Sequence, residues 1–192
     1  MGIRLIVGLG NPGREHERTR HNAGFWLVTK LAGIQRVALR HEAKYHGLVA
    51  KFSQSDVEYW LVLPQTYMNL SGQAVGSLAR FYKISPEEIL VVHDDLDLQP
   101  GVAKLKFGGG VGGHNGLKDI SAALGGPGFW RLRLGIGHPG QRDLVLGYVL
   151  SRPSVSDQVA IDEAIDRSLL VFPSITAGQM EAAMHKLHTK VT

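Results

Sequence analysis

The chain has 192 residues, of which 44% are hydrophobic, and this is enough for one globular domain with a substantial core. No apolar run approaches the about 20 residues of a membrane span and no signal-peptide pattern opens the sequence, so we expect a cytoplasmic protein without membrane contact. Zero cysteines exclude disulfides and thiolate chemistry, and the formal charge of +4 permits a polyanionic partner without requiring one.

The first half of the chain alternates apolar runs of strand length with stretches of helical period. The predicted elements, in chain order, are a strand over residues 3–9, a helix over 23–34, a hairpin with strands over 48–52 and 59–63, a helix over 72–82 and a strand over 89–93. The last strand is continuously apolar, which is typical of a strand buried on both faces in a parallel sheet.

The second half continues the same alternation and ends in helices. The predicted elements are strands over 102–107 and 130–136 with a helix over 117–124 between them, and closing helices over 156–172 and 177–188. Ser156 is the predicted N-cap of the first closing helix, with Asp157 in its first turn. The pattern predicts the α/β class, as a single domain over residues 1–192 with a mixed, mostly parallel sheet.

Two glycine-rich segments invite a nucleotide-binding interpretation. Residues 8–13 fit G-x-G-x-x-G after a strand, but residues 14–22 contain no apolar side chain to pack a following helix on the sheet. We therefore expect these glycines to turn the backbone and expose Asn11. Residues 108–113 lack the Gly-Lys-Ser/Thr ending of a P-loop, and we predict a flexible lid over a crevice, with a plain surface loop as the alternative.

The polar motifs predict a hydrolytic site that uses water as the nucleophile. His21 stands where a helix should begin, Asp94 closes a buried strand, and primary amides recur in later motifs. No G-x-S-x-G elbow occurs, and Ser71 is predicted to cap the following helix. The histidines at 41 and 46 miss the zincin spacing, and those at 185 and 188 lack a third ligand, so we expect no metal or other cofactor.

Several ordered motifs resemble those of bacterial-type peptidyl-tRNA hydrolase, from residue 3 to about the last helix. They are residues 8–13, 19–24, 68–72, 93–97, 112–117 and 131–139. The resemblance implies a monomeric α/β domain with a mixed twisted sheet wrapped by helices. It also implies metal-independent hydrolysis of the ester that joins a peptide to the terminal ribose of tRNA, with peptidyl-tRNA as the partner.

The resemblance also implies roles for individual residues of the catalytic centre. His21 matches the family's general base and Asp94 the acid that orients its ring. Asn11, Asn69 and Asn115 match amides that bind substrate, and Asn69 or Asn115 is the candidate for the oxyanion contact. Amides are suited to this substrate because they read the peptide main chain rather than its side chains.

Further positions are implied for substrate binding. Tyr67, Met68 and His114 match residues that line the cleft near the peptide and terminal nucleotide, with ordinary core packing as the alternative for Met68. Lys106 and Arg133 match the residues that bind the tRNA 5′ phosphate, for which a guanidinium and an ammonium are well suited. Read alone, either cation would be interpreted as a solubilising surface residue.

Two positions depart from the family's usual pattern. His16 stands where tyrosine is more common, which could shift the pH profile or the packing of the adjoining loop, and Val111 stands where relatives carry a polar residue. Two other classes of function remain open from the residues: a module that binds tRNA ends without catalysis, and a general esterase that uses the same histidine and amides.

Overall fold

Seven β-strands form one mixed sheet in the computed structural model, which describes residues 2–189. The strands are β1 (Leu5–Gly8), β2 (Arg40–Glu42), β3 (Gly47–Gln54), β4 (Val57–Pro64), β5 (Ile89–Asp95), β6 (Ala103–Phe107) and β7 (Trp130–Gly135). The helices are α1 (Ala23–Ile34), α2 (Gly72–Phe81), α3 (Asn115–Leu124), α4 (Val145–Val149), α5 (Val155–Leu170), α6 (Phe172–Thr176) and α7 (Met180–His188). The sequence pattern did not predict the short elements β2, α4 and α6.

The centre of the sheet is parallel and its two sides are antiparallel. The strand order is β2-β3-β4-β1-β5-β7-β6, in which β4, β1, β5 and β7 run parallel, while β2, β3 and β6 pair antiparallel with their neighbours. The hairpin of β3 and β4 turns at Ser55 and Asp56, both with positive φ, as a two-residue turn requires. The predicted mixed, mostly parallel α/β sheet is confirmed.

Helices cover both faces of the sheet and enclose two apolar cores. Along β1, Leu5 and Val7 pack in a cluster with Leu78 of α2, whereas Ile6 packs in a second cluster with Leu27 of α1. The helices α2 and α3 belong to the first core, and α1, α5, α6 and α7 to the second. Within the described residues, no helix has the length and apolar character needed to traverse a bilayer.

The first glycine motif serves close packing between α1 and the sheet. A Cβ on Gly8 would lie 2.5 Å from the carbonyl oxygen of Gly24, and one on Gly24 would lie 2.3 Å from the carbonyl oxygen of Val92. Gly10 similarly packs against the ring of Phe25, and within the motif only Gly13 has a positive φ, 104°. The prediction that these glycines turn the backbone is therefore wrong for Gly8 and Gly10.

Both helix caps predicted from serines are wrong. The helix α5 begins at Val155, and its N-cap is Ser154, whose Oγ accepts from the backbone N–H of Asp157 at 3.1 Å. The hydroxyl of Ser71 donates back to the carbonyl of Met68 at 2.7 Å instead of capping α2. A carboxylate from the neighbouring helix takes that role, since the backbone N–H of Gly72 donates to Oδ2 of Asp119 at 2.7 Å.

Candidate active site

The polar motifs converge at the carboxyl ends of the central parallel strands, where α/β sheets usually bind ligands. Asn11 follows β1, and Asp94 lies at the end of β5. His21 lies in a single 3₁₀ turn, Arg20–Asn22, that leads directly into α1. Because β1 and β5 are adjacent and parallel, the fold brings together residues that are distant in sequence.

Asp94 is a buried carboxylate that binds the ring of His21. Nδ1 of His21 lies 3.0 Å from Oδ1 and 2.9 Å from Oδ2 of Asp94. A carboxylate can only accept, so Nδ1 carries the hydrogen and donates to both oxygens. The free electron pair of the ring is then on Nε2, which makes no hydrogen bond within the described part of the chain. This is the arrangement that a general base requires.

A second histidine contacts the same carboxylate. Nε2 of His114 lies 2.9 Å from Oδ1 of Asp94, and the rings of His114 and His21 have centroids 4.9 Å apart. His114 is also the N-cap of α3, where its Nδ1 accepts from the backbone N–H of Gly116 and Leu117 at 3.2 and 3.4 Å.

These contacts shift the pKa values of the buried groups. Burial of Asp94 opposes its ionisation, but His21 and His114 outweigh that effect and hold the pKa of the carboxyl well below its usual value of 3.8. Burial of His21 lowers its pKa, but the charge and hydrogen bond of Asp94 raise that pKa by a larger amount. The pKa of His21 therefore lies above its ordinary value of 6.5. For His93, burial is the largest influence, and together with the neighbouring His114 ring it lowers the pKa to about 4.

Asn11 is held by a second asparagine that the sequence motifs did not single out. The side chain of Asn22 accepts from the backbone N–H of Asn11 at 2.9 Å and donates to its backbone carbonyl at 3.0 Å. Oδ1 of Asn11 accepts from the backbone N–H of Met68 at 2.8 Å. Nδ2 of Asn11 therefore remains as the available donor, on a side chain that is only 8% exposed.

A cleft of about 650 Å³ opens beside the histidine pair. Among its lining residues are His21, Asp94, Lys106, Val111, His114, Asn115, Arg133 and His138. Val145, Leu146 and Val149 of α4 form an apolar wall, on which Leu146 is 70% exposed. The cleft thus combines a partly buried histidine–carboxylate pair, four cationic side chains and an uncharged wall.

Two of the cations that line the cleft, Arg133 and Lys106, differ in how they are held. Nε of Arg133 donates to Oδ2 of Asp95 at 2.7 Å, and Oδ1 of Asp95 accepts from the backbone N–H of Asp97 at 2.9 Å. Lys106 is exposed on the edge strand β6 and makes no ion pair within residues 2–189. Arg133 is therefore oriented before any ligand binds, whereas no ion pair among the described residues orients the ammonium of Lys106.

The buried side chain of Arg131 supports the glycine-rich loop over residues 108–113. Its guanidinium donates to the backbone carbonyls of Gly109, at 3.0 Å, and of Gly110, and stacks 4.6 Å from the ring centroid of Phe129. The side chain is buried, so it is not a surface cation. The loop itself contains four glycines with positive φ, Gly108, Gly109, Gly112 and Gly113.

The remaining predicted binding residues lie outside the lining of the cleft. Met68 is 5% exposed and packs in the core that contains α3, where a Cβ on Gly116 would lie 2.6 Å from its sulfur. Tyr67, which is 69% exposed, and Asn69, also exposed, flank Met68 in chain order. The structure therefore joins this segment to the site through Asn11 and α3 rather than through the cleft wall.

Arg20 links the histidine turn to α4, a contact that the sequence motifs did not reveal. Its Nη1 donates to the carbonyl of Tyr148 at 3.1 Å and to Oγ of Ser151 at 2.6 Å. The guanidinium also lies 3.9 Å from the centroid of the Tyr148 ring. This buried arginine fixes the turn that carries His21 against the apolar wall of the cleft.

Three potential metal ligands, from His21, Asp94 and His114, lie within 4.8 Å of one another. Metal binding through Nε2 of His114 would require its hydrogen on Nδ1, but Nδ1 accepts two backbone hydrogen bonds. The inward nitrogen of His21 likewise carries a hydrogen toward Asp94. The geometry favours a hydrogen-bonded triad over a metal centre.

Fold and site together define an α/β protein with a carboxylate-held histidine base. The sequence model of the family described as peptidyl-tRNA hydrolase matches residues 5–192. The peptidyl-tRNA hydrolase of Nitrosospira multiformis is 57% identical over 98% of each chain, and that of Neisseria meningitidis serogroup B is 56% identical over 98% of each. The chain belongs to the peptidyl-tRNA hydrolase family.

Solved structures agree with that membership. The crystal structure of peptidyl-tRNA hydrolase from Acinetobacter baumannii superposes with a TM-score of 0.95 at 48% identity, covering 97% of this chain and 95% of the other. The resemblance found in the motifs is therefore confirmed for both family and fold.

Proposed function

We propose that the protein hydrolyses the ester bond between a peptide and the 3′-terminal ribose of peptidyl-tRNA, and so returns tRNA to translation. The observation that carries the proposal is the buried His21–Asp94 pair, which opens on a cleft that also holds Lys106 and Arg133. Family membership supports the same activity. We further propose that the protein acts in the cytoplasm as a monomer, without a metal or other cofactor.

In this reaction His21 acts as general base on water. Nε2 takes a proton from a water molecule as its oxygen attacks the ester carbonyl carbon, and the ring becomes an imidazolium beside the negative Asp94 carboxylate. The charge and hydrogen bond that raise the pKa of His21 also stabilise this imidazolium. General base catalysis of this kind contributes about 10²–10⁴-fold.

Uncharged amides bind the ester and its developing oxyanion. Asn115 lines the cleft at the first turn of α3, beside His114, and is our candidate for the oxyanion contact. Nδ2 of Asn11 and the exposed amide of Asn69 bind the peptide main chain. Tyr67 and Met68 contribute to the same surface, Met68 by fixing Asn11 through its backbone.

Lys106 and Arg133 bind the 5′ phosphate of the tRNA. Asp95 presents the Arg133 guanidinium in a fixed orientation, which reduces the entropy lost when a phosphate binds. Lys106 adds a point charge on the neighbouring strand, opposite Arg131 in the register of β6 and β7. Binding should therefore weaken as the salt concentration rises.

The apolar wall of α4 is suited to peptides of any sequence. Val145, Leu146 and Val149 present no charge and no hydrogen-bonding side chain to the cleft. Such a wall removes apolar surface from water without selecting one side chain. Specificity then rests on the main chain and the tRNA rather than on the peptide sequence.

The first experiment is single-turnover release of peptide from N-acetyl-aminoacyl-tRNA in EDTA, by the protein and by its His21→Ala variant. We expect release by the protein and a loss of at least about 10²-fold in the variant. The matched control is His41→Ala, which removes an exposed histidine from the edge strand β2 and should retain full release.

The result also distinguishes the two alternative functions. No release by the unmodified protein would contradict the proposal and favour a module that only binds tRNA ends. Equal cleavage of a small N-acetyl-aminoacyl ester that lacks tRNA would instead favour a general esterase, for which Lys106 and Arg133 have no purpose.

A further inference from the structure

The two ring nitrogens of His114 have different partners, and these fix where its hydrogen lies. Nδ1 lies 3.2 and 3.4 Å from the backbone nitrogens of Gly116 and Leu117. A backbone N–H can only donate, so Nδ1 accepts both bonds and carries no hydrogen. The hydrogen of the neutral ring is therefore on Nε2, which donates to Oδ1 of Asp94 at 2.9 Å.

We propose that His114 is a positioning residue for the hydrolytic reaction: a neutral hydrogen-bond donor, locked in one tautomer by the start of α3, that holds the Asp94 carboxylate for His21. This inference rests on the function proposed above. Two imidazoles contact one carboxylate, yet the lock allows only one of them to act as a base. His114 cannot take a proton on Nδ1 without losing both backbone bonds, whereas Nε2 of His21 is free to do so.

The donated hydrogen bond also moderates the charge that His21 experiences. A neutral donor on Oδ1 stabilises the carboxylate and reduces the negative potential at the neighbouring ring. If that donor is removed, Asp94 attracts the imidazolium of His21 more strongly. More of His21 is then protonated near neutral pH, and less of it is available as free base.

Other charged or titratable groups also face this cluster. On β5, the ring of His93 packs edge-to-face with the ring of His114, with centroids 5.3 Å apart, and Asp95 is paired with Arg133. Lys106 and Arg131 line the cleft from β6 and β7.

Beyond β7, His138 and Arg142 line the same cleft, and Asp97 lines it from the turn after β5. All these groups are unchanged when only position 114 is substituted. A comparison of two variants at that position therefore removes their contribution to the pKa of His21.

Two substitutions separate the role of Nδ1 of His114, which caps α3, from the role of Nε2, which donates to Asp94. In His114→Asn, the side-chain oxygen occupies the place of Nδ1 and keeps the cap of α3, but no donor reaches Asp94. In His114→Gln, the amide nitrogen occupies the place of Nε2 and keeps the donor, but the cap is lost. A purely structural role for His114 would make the variant without the cap the more damaging one in every assay.

We expect one variant to change the pKa of His21 and the other to change the stability of the fold. The His114→Asn variant should raise the pKa of His21, measured by NMR titration of its ring and from the acid limb of kcat/KM, by about half a unit to one unit. The His114→Gln variant should leave that pKa in place and lower Tm by roughly 1–8 °C through loss of the cap. In the unmodified protein, ring nitrogen shifts at neutral pH should show His114 with hydrogen on Nε2 alone.

Three results would overturn the proposal: hydrogen on Nδ1 of His114, an unchanged or lower pKa of His21 in His114→Asn, or equal shifts in both variants. The NMR measurements need no substrate. A failure of the proposed hydrolytic function, seen as no peptide release by the unmodified protein, is therefore distinguishable from a failure of this inference. If His114→Asn does not fold, the tautomer measurement and the His114→Gln titration still decide the matter.

Discussion

The substitution Asp94→Asn should change both the rate of hydrolysis and its pH dependence. The carboxylate accepts from Nδ1 of His21 at 2.9 and 3.0 Å and is the counterion of the imidazolium that forms as water loses its proton. An amide has the same shape but no charge, and it can present its NH₂ group to Nδ1, which favours the wrong tautomer. Since general base catalysis contributes about 10²–10⁴-fold, kcat should fall by roughly that factor.

The pH dependence should move in a defined direction. Burial is the largest influence on the pKa of His21 and lowers it, while Asp94 supplies the opposing charge and hydrogen bond. Without Asp94 only the effect of burial remains, so the acid limb of kcat/KM should move below its ordinary pKa of 6.5. More free base is then present at neutral pH, and the fall in kcat cannot result from protonation of His21.

Single-turnover peptide release, measured over a pH series from about 5 to 9, tests both expectations. The matched control is Asp95→Asn, which removes the adjacent carboxylate and its bond to Arg133; it should alter KM and leave the acid limb in place. An unchanged kcat in Asp94→Asn, or an acid limb that moves to higher pH, would refute the assignment of Asp94 as the counterion of the base.

Four further changes test other parts of the molecule. Joint Lys106→Ala and Arg133→Ala substitution should raise KM for peptidyl-tRNA more than it lowers kcat, and an equal effect on a substrate without the 5′ phosphate would contradict the phosphate contact. The Arg131→Lys variant loses donors to two loop carbonyls, so hydrogen exchange of the loop over residues 108–113 should accelerate. The Gly24→Ala variant should fail to fold stably, since its Cβ would lie 2.3 Å from a β5 carbonyl; a Tm close to that of the unmodified protein would refute this packing argument. Because folding lowers the pKa of His93 from 6.5 to about 4, its neutral form stabilises the fold above pH 6.5, and that contribution is lost as pH falls towards about 4; His93→Asn should flatten the decline of Tm across this window.

The sequence predicted the α/β fold well because the central strands are long, apolar and unambiguous. The apolar run over residues 89–93 forms β5 in the parallel centre of the sheet. The observed hairpin strands contain the predicted ones and are longer by one to two residues at each end. The short elements β2, α4 and α6 were missed because an exposed three-residue strand and five-residue helices carry no periodic signal. The cap of α2 was misassigned because its partner, Asp119, comes from α3, whereas the cap of α5 was misplaced by two residues within one serine-containing segment.

Within the candidate site, the sequence identified residue types but not their partners. The resemblance to the family implied that His21 and Asp94 act together, and Nδ1 of His21 lies 2.9 Å from Oδ2 of Asp94. The hydrogen bond from His114 to the same carboxylate was not predicted. The amino-acid sequence alone does not distinguish a histidine that caps a helix from one that contacts a catalytic carboxylate. Asn22 and Arg20 adjoin His21 in the same motif, but they are buried although their polarity is typical of exposed residues.

The site depends on both helical layers, because its three central side chains come from different parts of the fold. His21 is placed by the turn into α1, which packs on one face of the sheet, and His114 by the start of α3, which packs on the other. Asp94 lies between them at the end of β5. A shift of either layer therefore changes the hydrogen bonds to one buried carboxylate. Substitutions at the α1–sheet contact that the fold tolerates, unlike Gly24→Ala, should thus lower kcat while Tm is retained.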